Sequence, residues 1–557
     1  MTSSQQKPWL RSYPEGVSRE IDLTPFKSIL TVIDEAIREH GDAPAFTNMD
    51  VSLSFRDLDR MSGQFASFLQ NELKLKKGDR IAIQMPNLLQ FPVALFGALR
   101  AGLIVVNTNP LYTPVEMRHQ FKDAGVKAIV ILSNYGSNLE KILKETPIES
   151  IVVTDIGDLL PFPKSMIVNA VVKYVKKMVP AYNLPTAYRF RQALEIGSAK
   201  PYTPAELTLD DTAFLQYTGG TTGVSKGAVL THRNICANME QIVQWMKPLL
   251  RKGQEHIITA LPLYHIFSLT VNCLAFMRYG ARNILITNPR DIPGFIKTLR
   301  TTKFTAMTGV NTLYNGLMNH PDFDKIDFSN CKISVGGAMA LQKSVVERWR
   351  KLTKTPLLEG YGLTESSPVA CCNPINGGDI IGTIGIPLPS TVVKVVDDDG
   401  KEVAVGEEGE LCIQGPQVMQ GYYKRPDETA KVLNDGWLRT GDMAVMMENG
   451  YFKIVDRKKD MILVSGFNVY PNEVEEAIAS HPGVLEVAVV GVPNEDTGEA
   501  VKAFVVRKDP NLKAEDVIKH AKQSLTNYKV PKQVEFRSEL PKTNVGKILR
   551  RALRDSA

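Results

Sequence analysis

The sequence has few cysteines, no long apolar run and no large excess of one charge. Six cysteines among 557 residues lack the paired spacing of zinc ligands, and the adjacent Cys371 and Cys372 make a poor half-site. No stretch approaches the roughly 18 apolar residues that span a bilayer. The 66 lysines and arginines are scattered and only slightly outnumber the 60 acids, for a net charge of +6. These absences exclude a protein stabilised by structural zinc and a membrane-spanning protein, and they argue against nucleic acid as a partner.

Both ends of the chain also lack familiar targeting signals. The first sixteen residues contain no apolar core of a secretory signal, and the final RDSA is neither a peroxisomal nor an endoplasmic-reticulum address. We therefore expect a reduced, cytoplasmic protein that is a monomer or a homodimer.

The order of helical and strand patterns predicts an α/β fold with more than one domain. The chain exceeds the about 250 to 300 residues that one hydrophobic core usually serves. Amphipathic helical patterns alternate with short apolar runs that are typical of a parallel sheet covered by helices, namely RIAIQM, LIVVN, KAIVIL and SIVVTD. Residues 384–455 instead carry strand patterns punctuated by glycine and proline, which predict a small β-barrel-like subdomain.

A change of pattern near Asp456 predicts the domain boundary. Beyond it, PNEVEEAIASH and AEDVIKHAKQSL have helical periodicity, whereas VLEVAVVGV and KAFVVRK are typical of strands. About 100 residues of mixed pattern are enough for a small separate domain. We therefore expect a large N-terminal domain over residues 1–455 and a small C-terminal α+β domain over residues 456–557.

One basic segment differs from the rest of the chain. Residues 161–191 contain six lysines and arginines and no acid, and apolar residues recur at helical spacing between Ile167 and Val179. A basic amphipathic helix of this kind can lie in a membrane interface. An ordinary surface helix packed on the body of the protein is the commoner explanation of such a pattern. Peripheral binding to the inner face of the cell membrane is thus one of two hypotheses for this segment.

A loop rich in glycine and threonine, YTGGTTGVSKG, begins at residue 217 and is suited to bind phosphate. It follows the strand-like run DTAFLQY, and α/β sheets bind ligands at the carboxyl ends of parallel strands. It is not the P-loop of a GTPase, because Lys226 lies between Ser225 and Gly227 rather than between Gly and a hydroxyl residue. The loop still offers backbone N–H groups, threonine hydroxyls and one cation to an anion, although a mobile surface turn is the alternative.

Further candidate residues follow other strand patterns. SVGGAMA at 334–340 and LLEGYGLTESS at 357–367 are glycine-rich loops that can reach the same crevice, and the second supplies Tyr361 for stacking on a base and Glu365 for Mg²⁺. Asp442, in a tight turn of LRTGDMA, can accept hydrogen bonds from two ribose hydroxyls, although a lone Gly-Asp is more often structural. Lys547 lies in a glycine-containing turn, where an exposed tail lysine is the plainer interpretation.

Five motifs follow one another in an order that is highly specific. YTGGTTGVSKG, GYGLTES, RTGD, DRKKDMILVSGFNVYPNEVE and PKTNVGK resemble the adenylate-forming superfamily of acyl-CoA synthetases, luciferases and peptide-synthetase adenylation domains. The resemblance covers nearly the whole chain. Within the superfamily, QMPNLLQFPVALFGALRAG, VNTNPLYTP and LPLYHIFSLTVN are most similar to the bacterial long-chain fatty acyl-CoA synthetases that feed β-oxidation.

The resemblance implies an enzyme that activates a long-chain fatty acid with ATP and passes the acyl group to coenzyme A. Attack of the carboxylate on the α-phosphate releases pyrophosphate and brings two anions together, so cations are needed where charge develops. The thiolate of CoA then attacks the acyl-adenylate and releases AMP. Mg²⁺ is the implied cofactor, and ATP and CoA are the implied co-substrates.

The resemblance also implies a role for each matching residue. Catalysis is assigned to Lys547, Glu365, Thr218 and His265, and Thr218 and Glu365 are the implied Mg²⁺ ligands. ATP is expected to contact residues of several loops: Tyr217, Thr218, Gly219, Gly220, Thr221, Thr222, Gly223, Lys226, Gly337, Ala338, Glu359, Gly360, Tyr361, Gly362, Thr364, Asp442 and Arg457. In this set the loop from residue 217 holds the β- and γ-phosphates, Tyr361 stacks on adenine, and Asp442 and Arg457 bind the ribose.

The small domain is expected to be mobile, because the family swings it about a hinge between the two half-reactions. Asp456 matches the hinge position, and hinges absorb backbone rotation at a few residues. Ser465 and Gly466 are expected in a loop on the CoA side. Leu463 departs from the luciferase-like members, which carry a second catalytic lysine seven residues after the hinge acid. The group that assists attack by the CoA thiol is therefore not implied.

Three alternative functions explain parts of the pattern. An adenylation domain for an amino acid needs an acid to bind the substrate ammonium, and no acid lies between His256 and Arg290. A medium-chain or aryl ligase differs in the depth of the acyl pocket, which the sequence does not show. A catalytically silent regulator that binds nucleotide or acyl-CoA is disfavoured, because the acids and cations assigned to catalysis are all retained.

Overall fold

The computed structural model describes residues 7–218, 225–543 and 546–556. The glycines and threonines at 219–223, which the sequence assigns to phosphate binding, lie outside the described residues. Within the described ranges, no helix is long and apolar enough to cross a bilayer.

The described strands fall into four sheets. In chain order they are β1 (Pro44–Asn48), β2 (Val51–Ser54), β3 (Arg80–Gln84), β4 (Ile104–Asn107), β5 (Val126–Leu132), β6 (Ser150–Thr154), β7 (Tyr188–Arg189), β8 (Thr212–Thr218), β9 (Lys226–Thr231), β10 (His256–Thr259), β11 (Arg282–Leu285), β12 (Ala306–Gly309), β13 (Ile333–Gly336), β14 (Leu357–Gly362), β15 (Val369–Cys372), β16 (Ile386–Pro387), β17 (Val392–Val396), β18 (Glu408–Gln414), β19 (Gly421–Tyr422), β20 (Leu433–Asn434), β21 (Trp437–Met446), β22 (Phe452–Arg457), β23 (Ile462–Val464), β24 (Phe467–Val469), β25 (Val484–Asn494), β26 (Gly498–Arg507) and β27 (Gln533–Arg537).

The helices connect and cover these strands. In chain order the α-helices are α1 (Leu30–His40), α2 (Phe55–Ser67), α3 (Gln90–Arg100), α4 (Pro114–Ala124), α5 (Gly136–Ile142), α6 (Lys164–Ala170), α7 (Phe190–Ser198), α8 (His232–Met246), α9 (Phe276–Arg278), α10 (Ile292–Thr301), α11 (Asn311–Met318), α12 (Lys343–Thr353), α13 (Pro426–Val432), α14 (Pro471–Ala479), α15 (Ala514–Ala521) and α16 (Arg550–Arg554). Three short π-helical segments are Phe68–Glu72, Val171–Val175 and Ser268–Ala275.

Two large mixed sheets form the framework of the N-terminal domain. One has the order β16-β15-β14-β13-β12-β10-β11-β1-β2 and is parallel from β14 to β1. The other has the order β19-β9-β8-β4-β3-β5-β6-β7 and is parallel from β8 to β7. Antiparallel strands extend both sheets at their edges. Helices α3 and α8 are buried along almost their whole length, as expected of helices enclosed between layers.

Two smaller sheets complete the fold. Strands β17, β18, β20, β21 and β22 form an antiparallel sheet within the predicted β-rich region. Strands β23 to β27 form the sheet of a smaller C-terminal domain, which has apolar clusters of its own around Val489 and Phe504. The predicted α/β class, with a large N-terminal and a small C-terminal domain, is confirmed. The predicted boundary at Asp456 falls on β22 and stays a prediction.

Two of the predicted loops are strands. Glu359 to Gly362 belong to β14, which changes there from parallel pairing with β13 to antiparallel pairing with β15. Asp442 is not in a tight turn but within β21, next to Gly441 at φ 72°, where the pairing with β18 shifts. Such a bulge requires a backbone conformation that glycine adopts readily and re-aims the following side chain. These irregularities bring Tyr361 and Asp442 together, as described below.

Candidate active site

A cavity of about 1270 Å³ lies where β8, β13 and β14 end, against the C-terminal domain. Every described residue that the sequence assigns to ATP, catalysis or the hinge lines it: Tyr217, Thr218, Lys226, His265, Gly337, Ala338, Glu359, Gly360, Tyr361, Gly362, Thr364, Glu365, Asp442, Asp456, Arg457 and Lys547. Ser465 and Gly466 form the turn between β23 and β24 and are not among the residues that line the cavity. The carboxyl ends of parallel strands are the usual position of a ligand site in this fold class.

Tyr361, Asp442 and Arg457 form one hydrogen-bonded group in the cavity wall. The Tyr361 hydroxyl donates to Asp442 Oδ2 at 2.6 Å, and Arg457 Nε lies 3.2 Å from Asp442 Oδ1. Asp442 and Arg457 are direct partners across β21 and β22. Burial raises the pKa of Tyr361 well above its usual value, and the neighbouring Asp442 carboxylate adds to the shift. The hydroxyl therefore stays protonated and keeps the acid in one orientation.

The turn after β13 packs tightly against β14. A Cβ at Gly337 would lie 2.9 Å from the ring of Phe267 and 3.1 Å from the carbonyl oxygen of Gly360, so only glycine fits. Ala338 follows at φ 65°, a conformation that is uncommon for a residue with a side chain. Backbone strain of this kind is found at ligand sites more often than elsewhere.

The polar end of the cavity contains Lys226 and Glu365. Lys226 Nζ lies 2.7 Å from Glu428 Oε2 and 4.5 Å from the centre of the Tyr422 ring. The Tyr422 hydroxyl in turn donates to Glu365 Oε1 at 2.6 Å. Thr218 pairs with Lys226 across β8 and β9. A hydroxyl, an ammonium and a carboxylate therefore lie at one end of the site.

The side chain of Tyr217 has a different partner. Its hydroxyl donates to Asp123 Oδ2 at 2.7 Å, and Asp123 Oδ1 is 2.6 Å from Arg425 Nη2. These contacts fix the end of β8 and occupy the Tyr217 hydroxyl.

Lys547 reaches the cavity from the C-terminal domain. Its turn is closed by Thr543, whose N–H donates to the Lys547 carbonyl at 2.6 Å and whose Oγ1 accepts from the Lys547 N–H at 3.0 Å. Thr312 of α11 donates to the carbonyl of Gly546 at 3.1 Å and so ties this turn to the N-terminal domain. Burial, together with repulsion from Arg457, lowers the pKa of Lys547 to about 8.

His265 lies on the cavity wall in an enclosed position. Burial lowers its pKa to about 4, and the nearby Lys547 charge contributes. The Phe267 N–H donates to His265 Nδ1 at 3.3 Å, so the proton of the neutral ring lies on Nε2. At physiological pH His265 is therefore an uncharged hydrogen-bond donor.

A buried network around Asp456 joins β22 to two helices of the C-terminal domain. Arg550 Nη1 lies 3.0 Å from Asp456 Oδ1, and Arg550 Nη2 lies 2.8 Å from Glu475 Oε2. Asp456 Oδ2 accepts the N–H of Asn472 at 2.7 Å. Sequence reasoning missed these three partners, because the pairing joins α14 to α16 across a long stretch of chain.

The cavity continues into the N-terminal domain as an apolar branch that sequence reasoning also missed. One wall is a face of α8 and the segment after it, and the other is formed by residues at the beginning of β10, β12 and β13. These residues are Ile242, Trp245, Met246, Leu250, Ile257, Ala306 and Ile333. Ala306 is in register with Ile257 and with Ile333. Since Ala306 precedes Gly309 by three residues, the branch runs about 10 Å from the strand ends.

Comparison with known proteins identifies the family. The profile of the AMP-binding enzymes matches residues 33–423, and that of the AMP-binding enzyme C-terminal domain matches residues 473–547. The chain belongs to the AMP-binding enzyme family. The predicted adenylate-forming superfamily is thereby confirmed.

Individual relatives of the enzyme cover almost the full chain. This chain is 57% identical over 552 residues to a long-chain-fatty-acid–CoA ligase of Salmonella typhimurium, and the match covers 99% of this chain and 98% of that protein. It is 56% identical over 550 residues to the ligase of the same name in Yersinia pestis, with the same coverage. A solved anthranilate CoA ligase in complex with anthranoyl-AMP is 24% identical, covers 96% of this chain and 98% of its own, and has a TM-score of 0.86. That structure shares the fold.

Proposed function

We propose that the protein is a long-chain fatty acid–CoA ligase that forms an acyl-adenylate from ATP and a fatty acid and then transfers the acyl group to CoA. The observation that carries this function is the continuity of the cavity, in which a polar end with paired acids and cations opens into a deep apolar branch. Pyrophosphate release with ATP and oleate, followed by thioester formation when CoA is added, tests it. Pyrophosphate release with benzoate or a medium-chain acid, but not with oleate, would favour the alternative ligases. No pyrophosphate release with any acid would favour a regulator.

In the first half-reaction a carboxylate oxygen bonds to the α-phosphorus, and the bond from that phosphorus to the bridging oxygen of pyrophosphate breaks. The oxygens of both reactants crowd together, and the Lys547 ammonium stabilises the added charge. His265 donates from Nε2 to the fatty carboxylate and orients it. In the second half-reaction the CoA sulfur bonds to the acyl carbon, and AMP leaves with the electron pair of the broken C–O bond.

The nucleotide is assigned to the wall formed by β14, β21 and β22. Tyr361 stacks on adenine beside Gly337 and Ala338, and Asp442 accepts the ribose hydroxyls. Burial, with the Glu476 carboxylate nearby, raises the pKa of Glu359 to about 8, so its carboxyl group is largely protonated at neutral pH. A protonated carboxyl both donates and accepts hydrogen bonds, which suits an adenine edge.

Mg²⁺ fits the oxygen groups at the polar end of the cavity. Thr218 offers a hydroxyl and Glu365 a carboxylate, and the described residues contain no cluster of three or more acids, histidines or cysteines that could hold a metal alone. This combination is typical of Mg²⁺, which binds through one or two carboxylates and the substrate phosphates. The ion would neutralise phosphate charge there.

Glu365→Gln is expected to raise the Mg²⁺ concentration needed for half-maximal ATP binding by about tenfold. The amide keeps an acceptor for Tyr422 but loses the charge that attracts a cation, and the expected tenfold change corresponds to about 1.4 kcal/mol. Binding of labelled ATP is titrated with Mg²⁺, alongside pyrophosphate release. Glu448→Gln, an exposed residue, is the matched control. Undiminished binding and release at limiting Mg²⁺ would contradict the assignment.

The C-terminal domain is proposed to hold the adenylation orientation, since Lys547 faces the cavity and the Ser465–Gly466 turn does not. Rotation about Asp456 would withdraw Lys547 and bring that turn to the CoA side. The contact of Arg550 with Asp456, on β22, joins the C-terminal domain to the proposed hinge and would stabilise the first orientation.

The basic segment is proposed to bind anionic membranes, where an insoluble substrate is found. It is helical over α6 and the following π-helical segment, and several of its apolar side chains are exposed, namely Phe162, Met166, Ile167, Tyr174 and Val175. Val175, for example, is 73% exposed. Lys173, Lys176 and Lys177 lie beside these side chains and complement an anionic surface.

A variant with Lys173, Lys176 and Lys177 all changed to Glu is expected to lose binding to anionic liposomes at low salt. Each lysine contributes up to about 1 kcal/mol near such a surface, so the loss should be about 10²-fold or more. Cosedimentation measures it, with a Lys508, Lys513 and Lys522 triple Glu variant of the C-terminal domain as the control for net charge. Sedimentation equal to that of the parent would show that the segment does not recruit the enzyme.

A further inference from the structure

Lys226 is held on two sides by residues that come about 200 positions later in the chain. Its ammonium is 2.7 Å from Glu428 Oε2 and 4.5 Å from the centre of the Tyr422 ring. The other carboxylate oxygen of Glu428 is 2.5 Å from Lys431 Nζ, one turn along α13. Of the residues in this group, Lys226 and Tyr422 line the cavity and Glu428 lies behind them.

Glu428 presents a permanent negative charge to Lys226. Hydrogen bonds from Lys226 and Lys431 lower the pKa of Glu428 to about 2, so the carboxylate is ionised at any physiological pH. The Lys226 and Glu428 side chains keep 27% and 33% of their exposure, so water screens the pair in part. A phosphate that binds Lys226 from the cavity therefore competes with an anion already in contact with it.

Tyr422 provides a second contact that a phosphate does not compete for. An ammonium over an aromatic face is attracted by the ring without being neutralised. The hydroxyl of the same ring donates to Glu365 at 2.6 Å, which fixes the ring orientation at the cavity wall. Lys226 can thus change its anionic partner while it stays at the wall.

We propose that Glu428 sets the affinity for ATP, because it is the anion that the triphosphate displaces from Lys226 while Tyr422 holds the ammonium in place. The inference rests on the proposed function, since it takes Lys226 as a ligand of the phosphates. Glu428 acts through Lys226 alone, as a competing anion, and touches no reacting atom. Its removal eliminates both the competition for Lys226 and the repulsion of the incoming phosphates.

A double-mutant cycle on ATP binding tests the proposal. Dissociation constants for labelled ATP are measured by equilibrium dialysis with excess Mg²⁺ and without fatty acid or CoA, for the parent, Glu428→Gln, Lys226→Met and the double variant. Glu428→Gln is expected to bind ATP about threefold to tenfold more tightly, and Lys226→Met more weakly. In the Lys226→Met background the effect of Glu428→Gln should largely disappear, because the two residues act as one unit. Asp427→Asn, an exposed neighbour on α13, is the matched control for a general charge effect.

Three results would overturn the proposal, and they are distinguishable. Weaker ATP binding by Glu428→Gln would mean that Glu428 orients Lys226 toward the phosphates instead of competing with them. If Glu428→Gln tightened ATP binding equally in the Lys226→Met background, or if Asp427→Asn tightened it as much, the effect would be a general one of removing a negative charge. Unchanged binding by Lys226→Met alone would remove the phosphate role assigned to Lys226 under the proposed function, and the inference with it.

Discussion

Lys547→Ala is expected to lose nearly all acyl-adenylate formation, by roughly 10²-fold or more, while thioester formation from presynthesised acyl-AMP and CoA stays close to the parent rate. In the proposed mechanism the ammonium binds more tightly to the transition state, where carboxylate and α-phosphate oxygens crowd together, than to either substrate. Its loss is therefore expected to slow the first step. Its position in the cavity depends on the docked C-terminal domain, through Thr312 and Gly546. The second step is proposed to take place in a rotated orientation and is expected not to use it.

The two half-reactions are measured separately, as pyrophosphate release from ATP and a long-chain fatty acid and as acyl-CoA formed from acyl-AMP. Lys532→Ala is the matched control, because it removes the same charge from an exposed site of the same domain. Acetylation of Lys547 also removes the charge and should act as the alanine variant does. Equal losses in both assays would mean that Lys547 is structural or serves both orientations.

The same charge gives adenylation a pH dependence. Because burial lowers the pKa of Lys547 to about 8, the ammonium is present below that pH and is lost as the pH rises through it. The kcat/KM for pyrophosphate release should therefore fall above about pH 8. His265 does not obscure this fall, because its pKa of about 4 keeps it neutral over the whole range in which Lys547 titrates. A Lys547→Arg variant that retains adenylation should not show this fall in kcat/KM.

Each motif assigned to the ATP site contributes a described residue to the wall of one cavity, and the role of each residue stays a prediction. Tyr361 and Asp442 were assigned to one nucleotide and lie 2.6 Å apart. The predicted local structure was wrong, since both residues lie in strands rather than in loops. The change of pairing along β14 and the bulge at Gly441 depend on the neighbouring strands β15 and β18.

Contacts between distant segments could not be predicted. Nothing in the pattern around Lys226 indicates that Glu428 and Tyr422 hold it, because sheet edge β9-β19 brings them together. Arg550 appears in sequence as one of several arginines after Lys547, and its carboxylate partners become evident only when α14 packs beside α16. The apolar branch is likewise a space between α8 and three strand starts, each of which reads as ordinary core.

Ala306→Trp is expected to lower kcat/KM for palmitate by roughly 10²-fold and to leave hexanoate little changed. Ala306 lies in the wall of the apolar branch, in register with Ile257 and Ile333 and about 10 Å from the strand ends. A large ring there fills the deep part of the branch without reaching the polar end. Each methylene that loses its burial costs about 0.8 kcal/mol, so the exclusion of about four accounts for the loss.

The depth of the branch, rather than the stability of the protein, is the quantity that this experiment must isolate. Ala306→Ser keeps the volume and serves as the control, and the melting temperature and ATP dissociation constant of each variant are measured to detect misfolding. Met246→Trp, from the facing wall on α8, replaces one large side chain by another and should shift the preference in the same direction if the tryptophan at 306 does not fold. A chain-length series from hexanoate to palmitate then gives the result. The kcat/KM of the parent should rise with each added pair of methylenes, and that of the variants should stop rising at a shorter chain length. If palmitate and hexanoate fell equally in both variants while ATP affinity was retained, the branch would not hold the acyl chain, and the long-chain assignment would lose the structural feature that supports it.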